Sequence, residues 1–131
     1  MKRILFIALM AGMLSACHEN LADRTAREAK EYTKKNCPTP PRDFTILDSI
    51  TFNKNTLTLT RHYTLIGKAD QPQAFEGKKH EMRQALLESV KNETTTKKMK
   101  EAGYKFAFIY RSQKNKEIII YQDTFTEKDY Q

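Results

Sequence analysis

Histidine, cysteine and carboxylate side chains are the groups with which a chain of this size could do acid–base, nucleophilic or metal chemistry, and their spacing here does not gather them. The three histidines, His18, His62 and His80, lie far apart. His80-Glu81 opens like the helix of a zinc protease, but Gln84 stands where the second histidine of that motif belongs. Cys37 as a nucleophile would need a histidine base, and only folding could bring His62 or His80 to it. Asp48, Glu76 and Asp123 could meet in space as an acid–base pair, yet no spacing singles them out. With four glycines, one of them Gly12, no Gly-rich phosphate loop can be drawn. Apart from Cys17-His18, no CxxC or His-Cys cluster remains to make a metal site. The expectation is a chain with no catalytic constellation, no cofactor and no metal.

The other cysteine has a different setting. Met1, Lys2 and Arg3 make a short positive start, and Ile4 to Leu14 is an uncharged apolar stretch of the length of a secretory signal core. It is too short to cross a bilayer, which takes roughly 20 apolar residues. The stretch ends in Leu14-Ser15-Ala16-Cys17. Ordinary signal cleavage wants small residues at positions −3 and −1, and Leu14 at −3 fits that rule badly. Leu14-Ser15-Ala16-Cys17 resembles the lipobox of bacterial lipoprotein precursors. That resemblance implies cleavage between Ala16 and Cys17, acylation of Cys17 and retention on a membrane, since two or more acyl chains hold stably where one holds marginally. Residue 18 is His and not Asp, so the inner-membrane retention signal that the enterobacterial lipoproteins would imply is missing. The expected address is the cell envelope, with the outer membrane favoured over the inner.

Removal of residues 1–16 leaves 115 of the 131 residues, enough for one modest domain and one core. Lys2 and Arg3 leave with the signal, so 21 of the 23 basic residues remain against 16 acidic ones, a formal +5. The charges are interspersed, and an exported protein does not meet the chromosome, so no nucleic-acid partner is expected. Lys34-Lys35, Lys78-Lys79 and Lys97-Lys98 read first as solvated faces and second as contacts for anionic lipid. With Cys17 committed to lipid, Cys37 has no intramolecular partner, and reads as a small buried hydrophobe in preference to a reactive thiol or an intermolecular bridge.

The elements that would position these groups follow from periodicity. Residues 20–36 lack proline and glycine and place Asp23/Arg27, Arg24/Glu28, Arg27/Glu31 and Glu31/Lys35 four apart, which predicts a helix. Its apolar stripe, Ala22, Ala26 and Ala29 with Tyr32 beside it, is thin, so weak packing or a partial stalk is expected. Pro38, Pro40 and Pro41 end it. From there the period becomes two. Leu57, Leu59, Arg61, Tyr63 and Leu65 alternate with Thr58, Thr60, His62 and Thr64, a half-buried strand whose threonine row, with Thr56, is the expected solvent face. Residues 44–52 pair with it across Asn53-Lys54-Asn55. A second helix carries Met82, Ala85, Leu86, Ser89 and Val90 on one face, and Gly103 stands where a C-cap glycine belongs. Tyr104, Phe106, Phe108 and Tyr110 then alternate as the core row of a strand that forms a hairpin with residues 118–125. Residues 126–131 are expected to fray.

The order α-β-β-α-β-β predicts an α+β domain with a four-stranded antiparallel sheet covered by helices on one face. The divisions are the signal peptide 1–16, the lipidated N-terminus and helix 17–36, the α+β domain 37–125 and the tail 126–131. The mature part resembles the small Gram-negative, Bacteroidetes-like envelope lipoproteins. Lysozyme-inhibitor lipoproteins match in size and address but are β-barrels, and two helical segments argue against them. The expected function is a non-catalytic binding module with a protein, glycan or lipid partner, inhibitor and immunity roles included. The alternative is a small membrane-tethered hydrolase.

Overall fold

A computed structural model describes residues 19–131. The expected signal peptide 1–16, the expected cleavage pair Ala16 and Cys17, and His18 lie outside the described residues. Helix α1 spans Leu21–Asn36, strand β1 Thr45–Asn53 and strand β2 Thr58–Leu65. Two short 3-10 turns, Gly67–Ala69 and Pro72–Phe75, lead to α2 (Lys79–Asn92) and α3 (Lys97–Glu101). Strands β3 (Lys105–Ser112) and β4 (Ile119–Phe125) follow, and α4 (Glu127–Tyr130) ends the chain. Among the described residues no helix is long and apolar enough to cross a membrane.

The α+β class and the element order agree with the expectation, but the sheet is mixed and not wholly antiparallel. Its order is β1-β2-β3-β4. β1 with β2 and β3 with β4 are antiparallel, whereas the central pair is parallel, with Thr58 beside Lys105 and Leu65 beside Ser112. The reason lies in residues 66–104. Two local hairpins leave open how they join, and a connection long enough to hold α2 and α3 carries the chain back to the starting end of β2 before β3 begins.

Register then sorts the side chains. Leu59, Arg61 and Tyr63 stand on one face beside Phe106, Phe108 and Tyr110. Leu59, Leu65, Phe106, Phe108, Tyr110, Tyr121 and Phe125 of that face are buried in one cluster with Ala29 of α1 and Leu86 and Val90 of α2. The aromatic row of β3 is therefore core, as its alternation predicts. Tyr63 and Tyr110 stack across the parallel pair, centroids 4.5 Å apart and planes within 7°.

Three local expectations are corrected. On α2, Ala85 and Ser89 are exposed and the buried stripe narrows to Leu86 and Val90, with Met82 and Leu87 partly buried, because this helix touches the core along one edge of its predicted face. On the outer face of β2, Thr64 is buried, since a bulge at Asp48 brings that carboxylate onto its hydroxyl. At the C-terminus, residues 126–131 do not fray. Thr126 and Asp129 close a capping box, and the Tyr130 hydroxyl donates to the carbonyls of Tyr104 (2.8 Å) and Lys100 (3.3 Å).

α1 also packs more firmly than its thin alanine stripe implies. Thr25 and Ala29 are buried. The Thr33 hydroxyl accepts the Ile50 N–H (2.9 Å) and donates to the Ile50 carbonyl (3.1 Å), and the Thr39 hydroxyl accepts the Leu47 N–H (3.0 Å). Two threonines thereby occupy the backbone groups along the outer edge of β1, which would otherwise be open to strand pairing.

Candidate functional site: a groove between α1 and the α2–α3 segment

The core face of β1 and β2 is where α1 and the chain entering α3 stand apart. Ile50 and Leu59 make its apolar floor, Ala29 and Tyr32 of α1 form one wall, and Thr95 and Met99 form the other, around a cavity of about 360 Å³. A neighbouring cavity of about 290 Å³ shares Thr25, Glu28, Thr95 and Met99 with it and extends the depression toward Leu21 at the start of α1. Tyr32 stands at the rim, 44% exposed.

One charged pair is set into this floor. Arg61 extends from β2 and donates from one guanidinium nitrogen to both carboxylate oxygens of Glu93, 2.8 Å each. The guanidinium carbon lies 5.6 Å from the centre of the Phe108 ring, a cation–π arrangement. Glu93 is held in turn: its N–H closes α2 on the Ser89 carbonyl, and the Lys100 ammonium donates to the carbonyls of Val90, Lys91 and Glu93 at 2.8–3.0 Å, where the orphan groups of a helix C-terminus need donors. The groove thus offers apolar area plus two ion pairs compensated within the chain, Arg61–Glu93 in the floor and Arg24–Glu28 on the α1 side. That suits an amphipathic segment, whose apolar side would fill the floor, better than a reactive small molecule. The sequence carried one sign of it: Arg61 interrupts the otherwise apolar core row of β2.

The residues whose chemistry the sequence puts forward do not line this groove; Asp48 lies close enough to Cys37 and His62 for its charge to act on both, and His80, Glu76 and Asp123 stand elsewhere. Cys37 is half-buried, and burial followed by the Asp48 charge pushes its thiol up from the ordinary range, the reverse of what a nucleophile needs. His80 is exposed at the start of α2. Asp123 binds Arg83 and accepts the Tyr121 hydroxyl (2.9 Å); burial first, and then this bond, pushes that phenol up to about 12. Asp48 takes the Thr64 hydroxyl, and Glu76 is exposed.

His62 is the most engaged of them. Its Nδ1 is 3.3 Å from an Arg111 guanidinium nitrogen and its Nε2 2.9 Å from the Thr51 hydroxyl, on the outer face of the sheet. Arg111 can only donate, so Nδ1 accepts, the ring proton stands on Nε2, and Thr51 receives it. That tautomer cannot take the Thr51 proton, so the pair is no nucleophile–base dyad. Burial and then Arg111 lower the His62 pKa, and Asp48 opposes them. Among the described residues no three His, Cys, Asp or Glu converge to hold a metal ion.

A family model described as Domain of unknown function (DUF8479) matches residues 20–120, from the start of α1 into β4. The chain belongs to that family. No curated protein matches it in sequence. In structure this DUF8479 domain is similar to a Pseudomonas aeruginosa protein described as a presumptive secreted protein, with a TM-score of 0.66 at 14% identity, over 86% of this chain and 99% of that one. It is also similar to EpsS, the pilotin of the Vibrio vulnificus type 2 secretion system, with a TM-score of 0.59 at 12% identity, over 81% of this chain and 87% of that one. At such identities the DUF8479 domain shares a fold with both, and the fold alone.

Proposed function

We propose that this protein is an envelope lipoprotein, tethered through acylated Cys17, that acts by binding a protein partner and not by catalysis, with the groove between α1 and the α2–α3 segment as its docking site. In this reading the helices cover the core face of the sheet, and the outer face with its threonines is left to solvent. The carrying observation is the groove itself: an apolar floor of Ile50 and Leu59, walled by Met99 and open to solvent, around an ion pair already satisfied within the chain. The Leu14-Ser15-Ala16-Cys17 sequence supports the tether. Fold likeness to a pilotin and to a protein described as secreted supports an envelope setting and a partner that is itself a protein.

Labelled palmitate fed to growing cells should enter this protein, and Cys17→Ser should abolish both label and membrane retention. A photo-cross-linking residue in place of Tyr32, at the groove rim, should give one discrete protein adduct in the native envelope, while the same residue in place of Gln122, an exposed position of β4, should give none. Adducts equal at both positions would sink the groove as the docking site. Reproducible hydrolysis of peptidoglycan, ester or phosphate substrates by residues 18–131, abolished by His62→Ala or Cys37→Ala, would replace this reading with the hydrolase one.

A further inference from the structure

We propose that the pole of the domain at the start of α1 is a docking surface for an anionic phospholipid bilayer, engaged through Lys97 and Lys98. The inference rests on the reading of Cys17 as lipidated and adds to it an orientation and a headgroup chemistry.

The length of chain before the first helix sets the distance. Cys17 is four residues before Leu21, the first residue of α1, and four residues span at most about 14 Å. With the acyl chains of Cys17 in the bilayer, the first turn of α1 is held close to the headgroups, on the order of the 8–10 Å over which charges act at physiological salt.

Tertiary structure decides which basic residues share that pole. Arg24 and Thr25, in the first turns of α1, face Lys97 and Lys98 across the 290 Å³ cavity, and the Lys54 ammonium reaches Asp23 at 2.9 Å. The other two lysine pairs lie elsewhere. Lys34-Lys35 end the 16-residue α1, roughly 20 Å along its axis from Leu21. Lys78-Lys79 stand at the start of the 14-residue α2, whose far end leads into the segment bearing Lys97, which again gives a separation of about 20 Å.

The charge left over at the pole is positive. Asp23 is paired with Lys54, Glu28 with Arg24, Glu19 with Arg27 and Glu93 with Arg61. Lys97 and Lys98 are exposed and in no ion pair among the described residues. Lys100 spends its ammonium on the α2 carbonyls but keeps its charge, so α3 carries Lys97, Lys98 and Lys100 against Glu101 alone. A surplus of cations on the side where the tether emerges is complementary to anionic headgroups and faces them by construction.

The test uses the full lipidated protein reconstituted in vesicles of phosphatidylcholine alone, or with phosphatidylglycerol as roughly a third of the lipid, the composition range in which anionic headgroups set the surface potential. A water-soluble amine-acylating reagent reads each lysine by mass spectrometry. Lys97 and Lys98 should react about five-fold more slowly on the anionic vesicles, the change expected for a lysine at headgroup distance. High salt should erase the difference, and Lys34, Lys35, Lys78 and Lys79 should not change. Equal rates at Lys97 and Lys98 on both vesicles, or protection at Lys78-Lys79 instead, would overturn the orientation. The intact mass of the same sample reports the acyl group separately: its absence defeats the lipidation reading and this inference together, whereas its presence with unprotected Lys97 and Lys98 defeats the inference alone.

Discussion

Arg61 and Glu93 come from opposite sides of the connection between β2 and α3 and meet with both Glu93 oxygens 2.8 Å from one guanidinium nitrogen, their side chains only 15% and 31% exposed. Loss of one partner leaves the other charged in a partly apolar floor. Glu93→Ala is expected to destabilise the domain by about 2 kcal/mol, between the value of an exposed pair and that of a fully buried one. Arg61→Met combined with Glu93→Gln should recover part of that loss, because no unpaired charge remains. Thermal or urea unfolding of the two variants checks both, and additive losses would remove the pair as a unit.

The C-terminal turn is structural. Tyr130 bonds the carbonyls of Tyr104 and Lys100 and meets Phe106 edge-on at 5.7 Å, while Asp129 bonds Arg83 at 3.1 Å. Truncation after Phe125 should cost about 3 kcal/mol, as for removal of a packed aromatic with its hydrogen bonds. Tyr130→Phe should cost about 1 kcal/mol. A truncated domain with unchanged denaturation midpoint would show that residues 126–131 contribute nothing.

His62 gives the fold a pH dependence with a definite sign. Its pKa is lowered in the folded state, by burial and by Arg111, so the unfolded chain binds the proton more readily. The contribution is therefore fully present above the unfolded value of about 6.5 and is lost as pH falls from there toward the folded pKa. Melting temperatures between pH 8 and pH 5 should fall for the native domain and fall less for His62→Asn. The same slope in both proteins would assign the effect to other groups.

Cys37 should react slowly with iodoacetamide at neutral pH, because burial and the Asp48 charge both disfavour its thiolate. Asp48→Asn should speed alkylation, and Cys37→Ala should leave monomer mobility on non-reducing gels unchanged. A dimer that reductant dissolves and Cys37→Ala lacks would instead establish an intermolecular bridge.

Residue type and period alone determined most of the elements. Charge pairs four apart and three prolines delimit α1, and two-residue alternation marks β2 and the aromatic row of β3 with the correct core side. Gly103 was legible as the glycine that ends α3, one residue past its C-cap Ala102, and its φ of +76° favours a residue without Cβ. The proposed leader and its Leu14-Ser15-Ala16-Cys17 boundary rest on local order alone and lie outside the described residues. Everything that depends on non-local closure was decided by the tertiary structure. The two hairpins could be drawn from adjacent residues, but the parallel contact of β2 with β3 follows from where residues 66–104 return the chain. The burial of Thr64 depends on a bulge at Asp48, and the order of residues 126–131 depends on carbonyls at Lys100 and Tyr104. The groove is of the same kind. Ile50, Leu59, Arg61, Glu93 and Met99 are spread over half the domain, and no period links them; they share a surface because α1 rests against β1 while α2 ends and α3 begins on the far side of the floor.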